Sequence, residues 1–188
     1  KKSLFGTNPI CFGVPASNKI PFILDTSLSV ASRGYIRVKA NLNQKIPKGI
    51  ALDRDGKPTT SAKKALEGVQ LPIESFKGSG LAWMVDILSG VLTGSAHGGK
   101  VGDPFDDFKK PQNVGHLFIA FKQNIFVNNF GQRMKKNIKS VKKLPKIKGV
   151  KNILYPGENK FKKLKYNLNK NIKVSNRIAK DIELLLSR

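Results

Sequence analysis

The sequence is poor in the side chains that build metal centres and disulfides. Among 188 residues it has one cysteine, Cys11, and two histidines, His97 and His116. A single cysteine excludes an internal disulfide and a cysteine-rich zinc site, and its place in an apolar run predicts a buried, unreactive thiol. With so few imidazoles and only scattered carboxylates, we expect no metal site and identify no nucleophile triad.

Long apolar runs are also missing. A membrane-spanning helix needs roughly 20 consecutive apolar residues, but the most apolar run, residues 81–92, is interrupted by Asp86 and Gly90. The chain starts at Lys1 without a methionine, and the turn-rich stretch that follows is unlike a signal peptide. We therefore expect a cytoplasmic protein without membrane attachment. We interpret the chain as a fragment whose N-terminus lies elsewhere.

Acidic residues are scarce, with 12 Asp and Glu against 35 Lys and Arg, for a formal net charge of +23. Residues 122–188 carry 19 of the positive residues and 3 of the negative ones. Such a region could bind nucleic acid. However, only 6 of the 35 positive residues are Arg, the usual reader of bases and phosphates, and the lysines are interleaved with Asn. We therefore favour a solvated basic surface, with a nucleic-acid-binding module as the alternative.

The apolar periodicity predicts short strands and amphipathic helices. The stretch 81–92 is apolar on several faces, which predicts a buried helix, and residues 75–80 are expected to form a loop before it. Strands and helices do not alternate regularly, so an α+β fold is favoured. Strands are expected at 10–14, 20–24, 117–121 and 152–155, and helices at 29–40, 62–67, 81–92, 130–141 and 175–186, with a polar loop at 41–61.

Two glycine-rich segments imitate phosphate-binding loops without meeting their requirements. Residues 94–100 have the spacing of a P-loop, but Val101 stands where a hydroxyl must bind Mg²⁺. Residues 78–80 begin like a dinucleotide fingerprint, but Trp83 replaces the third glycine. We therefore reject a P-loop and do not expect an ordinary Rossmann turn. Lys77 and the glycines could still bind an anion at a helix N-terminus, or the glycines could simply allow close packing.

Three polar residues, Asp25, Thr26 and Ser27, close an apolar strand. Their acceptor and hydroxyl groups could hold a ribose or an amide, or they could form an Asx or Ser turn. His97 lies in a predicted loop, where we expect it to be exposed. His116 precedes a predicted central strand, where we expect it to lie in or near the core.

Several short motifs follow one another along the whole chain, from GTNP at residues 6–9 to YPGE at 155–158. Taken in order they resemble the malate/L-lactate dehydrogenase family, which also includes ureidoglycolate and sulfolactate dehydrogenases, diketogulonate reductase and piperideine-carboxylate reductase. The intervening motifs are FILDTS (22–27, continuing to Gly34), ALD, DG and PTT (51–60), FKGSGL (76–81), LSGVLTG (88–94) and PQNVGH (111–116).

The resemblance implies a homodimeric oxidoreductase that transfers a hydride between NAD or NADP and a 2-hydroxy or 2-oxo acid such as malate or lactate. It also implies a non-Rossmann, mixed-sheet cofactor-binding domain at residues 1–148, incomplete at its N-terminus. Residues 149–188 would then be the C-terminal part of a helical second domain. The choice between NAD and NADP is left open.

Ten residues are implied as cofactor contacts by the same resemblance. Phe76 and Lys77 would meet the cofactor beside a helix N-terminus, and residues 157–159 would close over it. The chain departs from the family pattern where Asn159 and Lys160 separate Glu158 from Phe161. The ten residues are Ile23, Leu24, Asp25, Thr26, Ser27, Phe76, Lys77, Gly157, Glu158 and Asn159.

The catalytic histidine of the family lies near the N-terminus, on a segment that has no counterpart here. Neither His97 nor His116 matches it, so the catalytic residue is unassigned, although Asp25 could support the active site. Carbonyl reduction needs a proton donor for the developing alkoxide. We therefore expect this chain to bind cofactor without catalysing turnover alone. A partial gene product with no activity is a third interpretation.

Overall fold

The computed structural model describes residues 4–16, 20–103, 109–172 and 174–187. Its internal contacts divide the chain into two compact units. Unit 1 comprises Lys1–Phe12 and Leu24–Asn128, and unit 2 comprises Gly13–Ile23 and Asn129–Arg188. The boundary expected at residues 148 and 149 stays a prediction. Helices and strands are mixed, consistent with the expected α+β class.

Six helices and five short strands are described. The strands are β1 (Ile10–Val14), β2 (Phe22–Thr26), β3 (Ala51–Leu52), β4 (Pro58–Thr59) and β5 (Val69–Gln70). The helices are α1 (Arg33–Asn41), α2 (Ala62–Glu67), α3 (Phe76–Asp86), α4 (Phe130–Lys142), α5 (Glu158–Asn167) and α6 (Asn176–Leu186). A π-helical turn, Ile87–Val91, extends α3, and a 3₁₀ turn covers Gln123–Ile125.

Three helices begin where a serine caps them. The hydroxyl of Ser61 accepts a hydrogen bond from the amide of Lys64 at the start of α2, and Ser175 does the same for Ile178 in α6. Ser32 caps α1 in this way. A serine oxygen satisfies one of the free N–H groups of the first turn. The capping residue of α6 and the bounds of β1 and α2 confirm the sequence predictions.

The core of unit 1 lies between α1, α2 and a three-stranded sheet. The sheet order is β4-β3-β5, with Ala51 paired to Thr59 on one side and to Gln70 on the other. Ile36 at the centre of the core is fully buried. The other core residues are Ala40, Ile46, Ile50, Ala51, Ala62 and Ala65. Strands β3 and β4 fall in the stretch 41–61, where we expected only a loop.

The first predicted helix starts later than expected. Residues 29–31 are not helical, because Val30 donates its amide hydrogen to the Leu71 carbonyl at 2.9 Å and Ser29 forms an isolated bridge with Pro72. This pairing is between distant parts of the chain and takes precedence over local helical composition. Strand β2 is likewise shifted to Phe22–Thr26 from the expected 20–24.

Helix α3 differs from the prediction in its start and in its burial. It begins at Phe76, so the glycines expected in a preceding loop lie inside its first turns. Gly78 is buried there, and a Cβ on it would approach the Ile73 carbonyl oxygen to 1.9 Å. The expected burial of the apolar helix is wrong for this chain, since Trp83 is 61% exposed and Leu92 66% exposed. The residues of the helix and its π-helical turn that are buried are small: Gly78, Ala82 and Gly90.

Two predicted strands, 117–121 and 152–155, are not strands in the described structure. Pairing needs a partner segment, which an apolar run cannot specify by itself. Helix α5, Glu158–Asn167, was not predicted from the sequence. Cys11 and His116 are both exposed, contrary to expectation, whereas His97 is exposed as expected.

Unit 2 contains α4, α5 and α6, together with the end of β1 and the start of β2. The apolar stripe Phe130, Met134 and Ile138 on α4 is half-buried, while the lysines opposite are mostly exposed. This arrangement confirms the amphipathic helix expected at 130–141. No helix among the described residues is long and apolar enough to cross a membrane.

Candidate functional site

In unit 1, the candidate residues Leu24 to Ser27 lie at the end of β2. Asp25 is exposed, and Asp25 and Thr26 belong to the strand instead of following it. The Ser27 hydroxyl donates to the Ser29 carbonyl at 3.2 Å, and that of Thr26 donates to the Ser27 carbonyl at 3.0 Å. The two hydroxyls therefore stabilise the local bend after β2, which is the turn alternative considered from the sequence.

Phe76 and Lys77 form the first turn of α3, as expected for residues beside a helix N-terminus. Phe76 is 77% exposed and Lys77 is exposed. The preceding Ser75 has φ +52°, and the Lys77 amide donates to the Glu74 carbonyl at 3.2 Å. The helix dipole places positive potential beside the Lys77 ammonium, so this end of α3 favours an anion.

Unit 1 brings these two candidate segments together. The Ile73 amide donates to the Leu28 carbonyl at 3.0 Å. Residues 24–27 immediately precede Leu28, and residues 76–77 follow Ile73 by three residues, so this hydrogen bond links the two segments. Sequence reasoning missed the residue that braces them. Asn8 donates from its side-chain amide to the Ala82 carbonyl of α3 at 2.7 Å, while the neighbouring Thr7 carbonyl accepts from Leu28 at 2.8 Å. The GTNP motif at residues 6–9 was the sequence signal from which Asn8 could have been identified.

In unit 2, Ile23 and Gly157 are neighbours. The Ile23 amide donates to the Pro156 carbonyl at 3.1 Å, and Gly157 has φ +90°. A Cβ at Gly157 would lie 3.1 Å from the Ile23 nitrogen and 3.2 Å from the Pro21 carbonyl oxygen. Only glycine meets both the left-handed conformation and this close approach without strain.

Glu158 is the first residue of α5 and only 4% exposed. Its Oε1 lies 2.8 Å from the Nζ of Lys142 and 2.8 Å from that of Lys162, and its Oε2 accepts from the Tyr155 amide at 3.4 Å. Burial would raise the pKa of this carboxyl, but hydrogen bonds from the two lysines outweigh burial and lower it below its ordinary value. Asn159, next along the helix, is exposed.

Tyr155 anchors the same turn from its other side. It is buried, its hydroxyl donates to the Ile20 carbonyl at 3.0 Å, and its ring is stacked with Phe22 at 6.5 Å between centroids. Lys142 Nζ lies 5.2 Å from the centre of the Tyr155 ring. The turn at Gly157 is therefore fixed against the start of β2. Among the described residues, no group of three His, Cys, Asp or Glu side chains could hold a metal ion.

Comparison with known proteins gives a consistent set of similarities. A family model described as malate/L-lactate dehydrogenase matches residues 1–183. The (2R)-3-sulfolactate dehydrogenase (NADP(+)) of Chromohalobacter salexigens is 38% identical over 130 residues, covering 69% of this chain and 39% of that protein. The ureidoglycolate dehydrogenase (NAD(+)) of Escherichia coli K12 is 32% identical over 158 residues, covering 82% and 44%.

A solved structure extends this similarity to the fold. A dehydrogenase from Sinorhizobium meliloti superposes with a TM-score of 0.90 at 27% identity, covering 98% of this chain and 53% of that chain. The present chain thus spans about half the length, or less, of the proteins it matches. Its fold is that of one part of these dehydrogenases.

Proposed function

Since this chain belongs to the malate/L-lactate dehydrogenase family, we propose that it forms the cofactor-binding part of an NAD(P)-dependent oxidoreductase. The reaction would interconvert a 2-hydroxy acid and a 2-oxo acid, such as malate or lactate. The observation that carries the proposal is the family match over residues 1–183, because it includes all ten candidate cofactor contacts. Relatives named for NADP(+) and for NAD(+) support either cofactor.

The exposed groups of unit 1 fit a nicotinamide dinucleotide, which supplies or accepts the hydride when bound. Phe76 offers an accessible aromatic face, and Lys77 offers a cation at a helix N-terminus that suits a phosphate. Asp25 is accessible at the end of β2 for a ribose hydroxyl or for support of the reacting groups. The Thr26 and Ser27 hydroxyls instead stabilise the backbone bend after β2 through their bonds to the Ser27 and Ser29 carbonyls.

In unit 2 the roles of the candidates divide. Asn159 is exposed, so it is available for a direct contact. Glu158 is buried with two lysine partners, so we assign it to positioning: it fixes the turn whose glycine lies against Ile23. The non-Rossmann character of the cofactor domain, the homodimer and the cytoplasmic location remain parts of the proposal.

Catalysis is assigned to the complete enzyme and not to this chain alone. Carbonyl reduction needs a proton donor held near the developing alkoxide, and the family resemblance places that histidine on a segment without counterpart here. His97 and His116 are both exposed and in loops. We therefore expect cofactor binding without turnover of pyruvate or oxaloacetate by these residues alone.

The test is titration of the chain with NADH and with NADPH, followed by nucleotide fluorescence and thermal unfolding. Binding stabilises the folded state by RT ln(1 + [L]/Kd), so the melting temperature rises with the logarithm of ligand concentration once this exceeds Kd. Lys77→Ala should weaken binding about fivefold to tenfold, the effect of losing roughly 1–1.4 kcal/mol of charge interaction. Lys63→Ala is the matched control, because Lys63 is also exposed and is the second residue of α2.

The proposal fails if neither nucleotide binds, or if both lysine variants weaken binding equally. The competing nucleic-acid module predicts a salt-dependent shift of DNA that survives Lys77→Ala without any nicotinamide binding. Turnover by the isolated chain at the rate of a full-length relative would refute the assignment of catalysis.

A further inference from the structure

Helices α4 and α5 of unit 2 expose charge of one sign only. Residues 129–172 contain 14 Lys and Arg and a single acidic residue, Glu158. Glu158 is 4% exposed and is bound by two lysines, so it contributes little negative potential at the surface. All 14 positive residues are exposed except Lys142, which is half-buried. The surface that this stretch forms is therefore uniformly positive.

The contact through Glu158 also joins the charged faces of the two helices. Lys142 of α4 and Lys162 of α5 both place Nζ 2.8 Å from the same carboxylate oxygen, Oε1. Their ammonium groups are therefore neighbours, and two positive charges share one buried negative charge. At this junction, the face of α4 that carries Lys142 continues into the face of α5 that carries Lys162.

Each helix extends this line of charge away from the junction. Residues three, four or seven positions apart lie on the same side of a helix, with about 5–6 Å between Cβ atoms one turn apart. The residues three and seven positions before Lys142 are lysines, and those three and four positions after Lys162 are a lysine and a tyrosine. We name these six side chains the lysine ridge: Lys135, Lys139 and Lys142 of α4, and Lys162, Lys165 and Tyr166 of α5.

Tyr166 adds an aromatic group at one end of the ridge. It is 66% exposed, and the Nζ of Lys170 lies 3.4 Å from the centre of its ring. Nucleic-acid bases stack on accessible aromatic rings regardless of their sequence, and a neighbouring cation attracts the phosphate that accompanies each base. A row of ammonium groups that ends in such a ring fits a chain of phosphates with unpaired bases.

We propose that the lysine ridge binds single-stranded nucleic acid without sequence preference, in addition to the proposed oxidoreductase function. Lysine is a point charge that neutralises phosphates, and the ridge contains no arginine, the usual reader of base edges. Composition alone favoured a solvated basic surface. The junction through Glu158 is the structural observation that aligns the lysines of two helices into one surface.

An anionic membrane is a less suitable partner. Membrane-surface helices insert an apolar face beside their lysines. The apolar stripe of α4, formed by Phe130, Met134 and Ile138, is half-buried and lies opposite its lysines. The ridge therefore offers charge and one aromatic ring, but no apolar face for insertion.

The experiment measures the fluorescence anisotropy of a labelled oligothymidine strand of about 20 nucleotides as the full 188-residue chain is added. Binding should be saturable and should weaken as salt is raised. Each phosphate neutralised on a single strand contributes about −0.7 to the slope of log affinity against log salt, so five lysines give about −3.5. Saturating NADH should leave the strand bound, because the ridge includes none of the ten candidate cofactor contacts.

Two triple variants with the same change in net charge provide the matched comparison. The ridge variant keeps the two lysines that bind Glu158 and changes the other three: Lys135→Gln, Lys139→Gln and Lys165→Gln. It should bind at least about tenfold more weakly at low salt, and its salt slope should be smaller by about 2. The control variant changes three exposed lysines of unit 1 and should keep the wild-type slope: Lys48→Gln, Lys57→Gln and Lys63→Gln.

A pair of tyrosine variants tests the stacking separately from charge. Tyr166→Ala should weaken binding of the strand at least about fivefold. Tyr35→Ala on α1 is the control, because Tyr35 is also exposed and also has a lysine four positions later, with Lys39 Nζ 5.7 Å from its ring centre. It should leave the affinity unchanged. Circular dichroism should give all variants the wild-type spectrum, since the changed side chains are exposed.

Four results would overturn the proposal. The strand does not bind at low salt, or the two triple variants weaken it equally, which would indicate an effect of net charge alone. NADH displaces the strand, which would place the phosphates in the cofactor site. Phosphatidylserine vesicles bind more tightly than the strand and lose their binding in the ridge variant, which would assign the surface to a membrane. Strand binding needs no bound cofactor, so its failure is separable from failure of the proposed function.

Discussion

Glu158→Gln removes the negative charge that holds the turn before α5 and keeps the shape of the side chain. In the native protein this carboxylate is 4% exposed and has two lysine partners at 2.8 Å. A hydrogen bond to a charged group contributes about 1.5–3 kcal/mol. The side chains of Lys142 and Lys162 are 36% and 54% exposed, so both can return to water when the charge is lost.

Discounting the two bonds for this solvation gives an expected loss of about 1–2 kcal/mol in the free energy of unfolding of unit 2. Chemical denaturation followed by circular dichroism measures the overall loss, and hydrogen exchange in α5 assigns it to unit 2. Glu183→Gln is the control, because Glu183 is an exposed glutamate on α6 of the same unit, and it should change stability by less than about 0.5 kcal/mol.

The pH dependence of stability provides an independent check. The pKa of Glu158 is lowered in the folded protein, so its ionised form stabilises the fold at every pH above its ordinary value of 4.5. This contribution is lost as the pH falls from that value through the lowered pKa. The wild type should therefore lose more stability over this acid range than Glu158→Gln does. Equal acid sensitivity, or equal stability of the two glutamine variants at neutral pH, would refute the positioning role.

Two further substitutions test the contacts that shape each half of the candidate site. Gly157→Ala should lower stability by about 1–3 kcal/mol and weaken NADH or NADPH binding. Gly149→Ala, with nearly the same φ of +89° but open space around it, should show only the conformational strain. Similar losses in the two melting curves would contradict the argument that a Cβ at Gly157 is crowded by Ile23 and Pro21. Asn8→Ala should cost about 1–2 kcal/mol through the lost bond to Ala82, and Asn43→Ala, also at positive φ but exposed, is its control in the same denaturation assay.

Local signals predicted the elements that depend only on local interactions. Strand β1, helix α2 and the serine cap of α6 were predicted correctly, because turn residues, caps and periodicity act within a few residues of one another. The ordered motifs likewise predicted the family, which the match over residues 1–183 confirms. The individual cofactor contacts stay predictions.

Contacts between distant segments were beyond local reasoning. The late start of α1 follows from pairing with residues 71 and 72, and the early start of α3 is accommodated because Gly78 can approach Ile73. The bracing role of Asn8 depends on a helix 74 positions further along the chain. None of these pairings leaves a periodic pattern in the sequence.

The sequence by itself determined which segments can be helical or extended, where the charge lies and which family the chain belongs to, because these properties reside in the residues themselves. Only the tertiary structure decided which apolar segments are covered by other parts of the protein. The runs 81–92 and 117–121 are apolar enough for burial, yet they are largely exposed here, since burial requires a partner surface. The tertiary structure also placed Lys142 beside Glu158, with 2.8 Å between Nζ and Oε1, and the proposed positioning role depends on this contact.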